Sequence, residues 1–179
     1  KDAFPVIKEI LNTSEKKEEL CLVFNFIENN GTAYFLSDLE NFAKKRGANT
    51  FPAEINRAVF LTGLLVKRID PEEDFSGADY GLPDKDEEDQ PIVVKGKELV
   101  SRYTEMLIGI AQNGENPVRL RATAITALDH YTELPFYQKM LEEDNDTISF
   151  AVFQTVAQFA HREMKIYQDL NQKDVFTHV

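Results

Sequence analysis

Apolar residues recur along most of the chain at the spacing of a helix face. Phe4, Ile7 and Leu11 predict a short first helix, with Pro5 tolerated in its first turn. Ser14 fits the N-cap of a second helix that runs to about Asn29. That helix starts charged, from Glu15 to Glu19, and then turns apolar nearly all round through Leu20, Leu22, Val23, Phe24, Phe26 and Ile27. The change places one end in solvent and the other deep in a core. Asn29, Asn30 and Gly31 stop it. Phe35, Leu39 and Phe42 mark a third helix from about Ala33 to Arg46. Lys44, Lys45 and Arg46 complement its dipole, and Gly47 suits the position just past its end. Pro52 and Glu54 open a long helix. Ile55, Val59, Thr62, Val66 and Ile69 form one face of it, and Phe60, Leu61, Leu64 and Leu65 widen that face, so both sides are expected to be covered.

From Asp70 to Pro91 the periodicity stops, and prolines and glycines replace it. This stretch reads as one long loop, and Ile92-Val93-Val94 is too short to build a sheet alone. Helices resume at Gly96, where Leu99, Tyr103, Met106 and Ile110 share a face until Asn113-Gly114. Asn116-Pro117 opens another helix, and Leu134-Pro135 opens a short one carrying Phe136, Met140 and Leu141. Asp146 is placed to cap a helix with Ile148, Val152, Val156 and Phe159 on one face. His161 to Leu170 then forms a last helix through Met164 and Tyr167, followed by a polar, frayed tail from Asn171. The expected fold class is all-α, with antiparallel helix pairs in a single domain over 1–179. Within it, an acidic loop over 70–92 separates N-terminal helices over 3–69 from C-terminal helices over 95–170.

The second half repeats itself. At an offset of 31 residues, Ala122, Ile125 and Leu128 fall on Phe153, Val156 and Phe159. The segment Asn116-Pro117-Val118-Arg119, continued by Ala122, Ile125, Ala127 and Leu128, resembles the first helix of a HEAT-like α-solenoid repeat. The likeness is centred on residues 116–160, good for the first copy and loose for the second. The resemblance implies helix pairs stacked as a short α-α superhelix, each burying one face on the pair before and one on the pair after. An irregular helical bundle is the other architecture that fits such spacing.

Composition changes this picture in one place. The 179 residues carry a net charge of −11. Residues 70–90 hold ten acids and one base, net −9, which leaves 21 acids and 19 bases elsewhere, net −2. The acidity therefore belongs to the loop. No basic stripe exists to hold a nucleic-acid backbone, and no apolar run is long enough to insert in a membrane. The single cysteine, Cys21, excludes an internal disulfide, and its apolar flanks place it in a core. The compartment is open between the cytoplasm and a mature exported form, and the oligomeric state is also open.

Chemistry-bearing patterns are sparse. His130, His161 and His178 make no metal-binding helix face, and no phosphate loop or nucleophile arrangement is present, so no enzyme activity or cofactor is expected. The run Asp84, Asp86, Glu88 alternates oxygen ligands as a calcium loop does, but lacks the Gly and Glu that shape one. The expected function is a non-enzymatic interaction module that presents a helical surface to another protein. The acidic loop is its docking segment for a basic surface. Candidate contacts are Asp74, Phe75, Asp79, Tyr80, Asp84, Asp86, Glu87, Glu88, Asp89, Arg119 and Arg121. Phe75 and Tyr80 fit equally as anchors of the loop to the body, and the two arginines as bridges to the acidic turn at Asp144 or Asp146. The alternatives are a HEAT-like enzyme acting on nucleic acid and a calcium-responsive regulatory module. Removing Glu72 to Asp89 is expected to leave folding intact.

Overall fold

A computed structural model describes residues 3–46, 50–80, 82–83, 85–86, 88–128 and 134–176, of which 134 and 162–176 are described by backbone alone. Among them run eight α-helices and one two-stranded sheet. The helices are α1 (Phe4–Thr13), α2 (Lys17–Asn30), α3 (Leu36–Lys45), α4 (Pro52–Val66), α5 (Gly96–Gln112), α6 (Val118–Leu128), α7 (Leu134–Leu141) and α8 (Asp146–Phe176). The strands are β1 (Asp74–Ser76) and β2 (Val93–Lys95), and 3₁₀ turns occupy Ala33–Phe35 and Gly77–Tyr80. The helical character expected from periodicity is what forms, with a small sheet beside it, so the chain is mainly rather than wholly α.

Local chemistry explains where the helices begin. Pro5 and Pro52 sit in the first turns of α1 and α4, where a missing N–H costs nothing. Ser14 lies just ahead of α2, accepting a hydrogen bond from the Lys16 N–H at 3.1 Å and donating to Glu19 at 2.7 Å. It steadies the entrance without being the cap, and the helix starts at Lys17. Asn145, not Asp146, caps α8: its side-chain oxygen accepts from the N–H groups of Thr147 and Ile148 at 3.1 and 3.2 Å.

One continuous core joins Leu11 of α1 to Val152 of α8. α2 packs on α4, α4 on α6, and α6 on α8, while α3 and α5 both lie against α4, and α5 also against α6. α6 is thus covered by three helices. Its approach to α4 is close enough to require a glycine: a Cβ on Gly63 would stand 2.4 Å from the Ala127 carbonyl oxygen and 2.6 Å from its Cβ.

Four expectations are corrected. The stretch after Asp70 is not one loop, because β1 pairs antiparallel with β2 in the register Asp74 to Lys95, Phe75 to Val94, Ser76 to Val93. The segment expected as two helices from Asp146 is one helix to Phe176, and the backbone from Asn171 to Phe176 is helical rather than frayed. Cys21 is exposed, because α2 buries only the stripe of Leu20, Val23, Phe24 and Ile27 and turns Cys21 and Leu22 outward. α4 is buried through Leu61 and Leu65 as expected, but Phe60 is exposed and Leu64 half-buried.

Candidate functional site

The acidic segment is a hairpin fastened to the helices. Asp74 and Lys95 form a cross-strand ion pair at 2.5 Å. The Gly77 N–H donates to the Ile92 carbonyl at 2.8 Å, and the Gly96 N–H to the Glu73 carbonyl at 2.8 Å. A Cβ on Gly96 would meet the Asp70 carbonyl oxygen at 2.0 Å, so only glycine lets the hairpin run straight into α5. From the other side, the Ser37 hydroxyl of α3 donates to the Asp79 carbonyl at 2.8 Å. Arg102 of α5 donates to the Tyr80 carbonyl at 3.3 Å.

Aromatic residues complete the fastening. Tyr80 is 3% exposed and meets Phe75 edge to face, with ring centres 6.1 Å apart. Burial first, then the carboxylates of Asp79 and Glu73, push the Tyr80 phenol above its ordinary range, so it stays protonated. Of the two roles open to Phe75 and Tyr80, the structure places both rings against the body. Removing Glu72 to Asp89 would therefore delete β1 and a core tyrosine.

Beside the 3₁₀ turn lies a polar cleft of about 520 Å³ lined by Lys8, Asp38, Glu40, Lys44 and Arg102. These five charged side chains are joined in three ion pairs. Lys8 pairs with Asp38 at 3.0 Å, Lys44 with Glu40 at 2.5 Å, and Arg102 with Glu40 at 2.9 Å. Burial pushes the Glu40 carboxyl up. The hydrogen bond from Lys44 and the charge of Arg102 outweigh that effect and hold it below its ordinary value. Such a set ties α1, α3 and α5 together through three ion pairs.

The hairpin tip is exposed. Asp86 accepts hydrogen bonds from the Glu88 and Gln90 N–H groups, both at 2.9 Å, and closes the turn through its own side chain. Lys85 pairs with Asp89, which adopts a left-handed backbone with φ 63°. Asp86, Glu88 and Asp89 thus face solvent together, while Asp84 and Glu87 lie outside the described residues. Among the described residues, no group of three or more His, Cys, Asp and Glu is placed to hold a metal ion.

The two arginines separate. Arg121 is buried and donates through Nε to the Ala111 carbonyl at 2.7 Å and through its guanidinium to Glu143 at 2.5 Å. It ties the end of α5 to the turn before α8, with Glu143 as the partner in place of the expected Asp144 or Asp146. Arg119 is exposed and lines a shallow groove of about 380 Å³ between α4 and α6, beside Arg57 and Phe60.

Sequence reasoning missed the outer face of α8. This helix buries Ile148, Ala151, Val152 and Thr155 against the body, and the Thr155 hydroxyl lies 3.4 Å from the Ile125 carbonyl of α6. On its other side Phe150 is 70% exposed, Phe153 62% and Phe159 40%. At the offset of 31, buried Leu120, Arg121 and Ala124 of α6 match buried Ala151, Val152 and Thr155. The other three pairs diverge: Ile125 and Leu128 are buried and Ala122 half-buried, whereas Val156 is half-buried and Phe153 and Phe159 exposed. The available signal was Phe150 and Phe153, which stand off the face of Ile148 and Val152 by helical geometry.

The fold defines a mainly α-helical protein with one small antiparallel hairpin. No family model matches the chain, and neither a curated protein nor a solved structure matches it. No helix among the described residues is long and apolar enough to cross a membrane.

Proposed function

We propose that this chain is a non-enzymatic protein-interaction module that receives its partner on the outer face of α8. The observation that carries the reading is the exposure of Phe150 and Phe153, three residues apart on a helix whose opposite face is core. Surface phenylalanines so grouped mark a contact site, because their area gains most from leaving water. The HEAT-like resemblance supports the same reading. In a stack, α4, α6 and α8 are successive layers, and α8 carries at Phe153 and Phe159 the positions that α6 buries or half-buries at Ala122 and Leu128. The partner therefore presents an apolar surface, in the manner of one more layer. The hairpin tip adds attraction for a basic region of the same partner, speeding association in a salt-sensitive way.

Capture from native extract tests this by comparison. The F150S/F153S double variant should fold normally and lose the protein that wild type retains. Identical capture by the two would contradict the proposal.

A further inference from the structure

Phe150, Phe153, Ala157 and Ala160 are all exposed and follow one another along α8 at spacings of three, four and three residues. That is the spacing of the seam along which two helices pair side by side. The row lies opposite the stripe of Ile148, Ala151, Val152 and Thr155 that α8 buries against the body. It is also free of charge: no Asp, Glu, Lys or Arg occurs from Thr147 to Ala160, in a chain of net −11.

Size runs along the row in one order, two rings and then two methyl groups. A second α8 turned end for end, about a two-fold axis level with Thr155, sets its Ala160 against Phe150 and its Ala157 against Phe153. By symmetry its two rings meet Ala160 and Ala157 of the first. Every large side chain then faces a small one, as close packing requires. Parallel pairing would set ring against ring and leave the alanines facing each other across a gap.

We propose that the occupant of this face is a second copy of this chain, whose α8 lies antiparallel along the row. The inference rests on the reading that the outer face of α8 receives a partner, and it names that partner. Charge selects a copy. Two chains that each carry −11 repel, and they pair best where neither brings a charge to the contact. The copy also carries a basic run, Lys44-Lys45-Arg46 at the end of α3, so the attraction of the hairpin tip has its counterpart in the same chain. Area sets the strength. With Phe150 70% and Phe153 62% exposed, and about 200 Å² to a ring, pairing takes about 500 Å² of ring surface out of water over the two copies. That forms the apolar centre of an interface at the small end of the stable range, about 1,200 Å² in total. Such a dimer should come apart on dilution.

Sedimentation of the purified full chain should give twice the mass of one chain at high concentration and a single chain on dilution. F150S/F153S, and Ala157→Glu, which sets a carboxylate against Phe153 of the copy, should stay single throughout. Both should keep the wild-type helical circular dichroism, because all three positions are exposed. Disulfide trapping reads the direction, in a Cys21→Ser background because Cys21 is exposed. Chains carrying Phe150→Cys and chains carrying Ala160→Cys should cross-link when mixed, but neither when oxidised alone. Antiparallel pairing holds like positions about 15 Å apart along the axis, ten residues at 1.5 Å each, too far for a disulfide. A wild type that is single at every concentration, a dimer that survives both seam variants, or equal cross-linking of either cysteine chain alone would overturn the inference. A single-chain wild type whose capture from extract is still lost in F150S/F153S would overturn the copy as partner and leave the α8 face standing.

Discussion

Arg119 and Arg121 stand two positions apart on α6 and do opposite things, which burial alone decides. Arg121 has its charge removed from water, and its two partners are a carbonyl at the end of α5 and a carboxylate in the turn before α8. Arg121→Ala leaves both without their donor and opens a void. The expected loss is about 2–4 kcal/mol in urea unfolding. Arg119→Ala should stay within about 0.5 kcal/mol in the same measurement. A second residue-scale prediction concerns acid. Glu40 has its folded pKa below the ordinary 4.5, so its ion pairs stabilise the fold above that value. That contribution is lost as pH falls through the folded pKa. Melting temperature should therefore drop on acidification below pH 4.5, and Glu40→Gln, less stable near neutrality, should flatten that part of the profile. Neither arginine's role could be separated in the sequence, since both fit the same helical motif. The cysteine was misplaced for a related reason: apolar neighbours on both sides of Cys21 do not say which way a one-sided helix turns it.

At the scale of elements, glycines on two helices should respond in opposite directions. Gly63→Ala gains helix propensity but drives a methyl into the Ala127 carbonyl, so α4 and α6 must part. Overpacking of this kind costs about 1–3 kcal/mol, which exceeds the gain of about 1 kcal/mol in propensity. On α5, a Cβ on Gly109 meets nothing within 4 Å, so Gly109→Ala should stabilise by about 0.5–1 kcal/mol. Paired chemical denaturation curves give both signs. Helix existence was legible in the sequence because stripes such as Leu99, Tyr103 and Met106 repeat over several turns. The hairpin was not, because strands of three residues show no alternation to read. Its real signal was Phe75 and Tyr80, bulky rings in an acidic run, which folding uses as anchors. The join of two expected helices into α8 was hidden because polar His161 and Arg162 break the apolar stripe without breaking the backbone.

For the whole molecule, charge and apolar surface lie on different parts of the fold. The tip of the hairpin carries exposed acids, whereas the outer face of α8 carries exposed phenylalanines. The offset of 31 residues pointed to α8 as a copy of α6, and the first part of that copy is buried alike. Which of its later positions lie open depended on what covers each helix, a tertiary fact no local pattern encodes. α6 has three neighbouring helices, whereas Phe153 and Phe159 of α8 stay open. The proposed function requires that open face to be a binding surface. Its most direct test places a photo-crosslinking amino acid at position 153 in the full chain and, as a control, at exposed position 9 on α1, each irradiated in native extract. A binding face at α8 should give a discrete protein adduct from position 153, none of the same mass from position 9, and loss of that adduct when Phe150 is changed to Ser. No adduct at 153, or the same adducts from both positions, would contradict it.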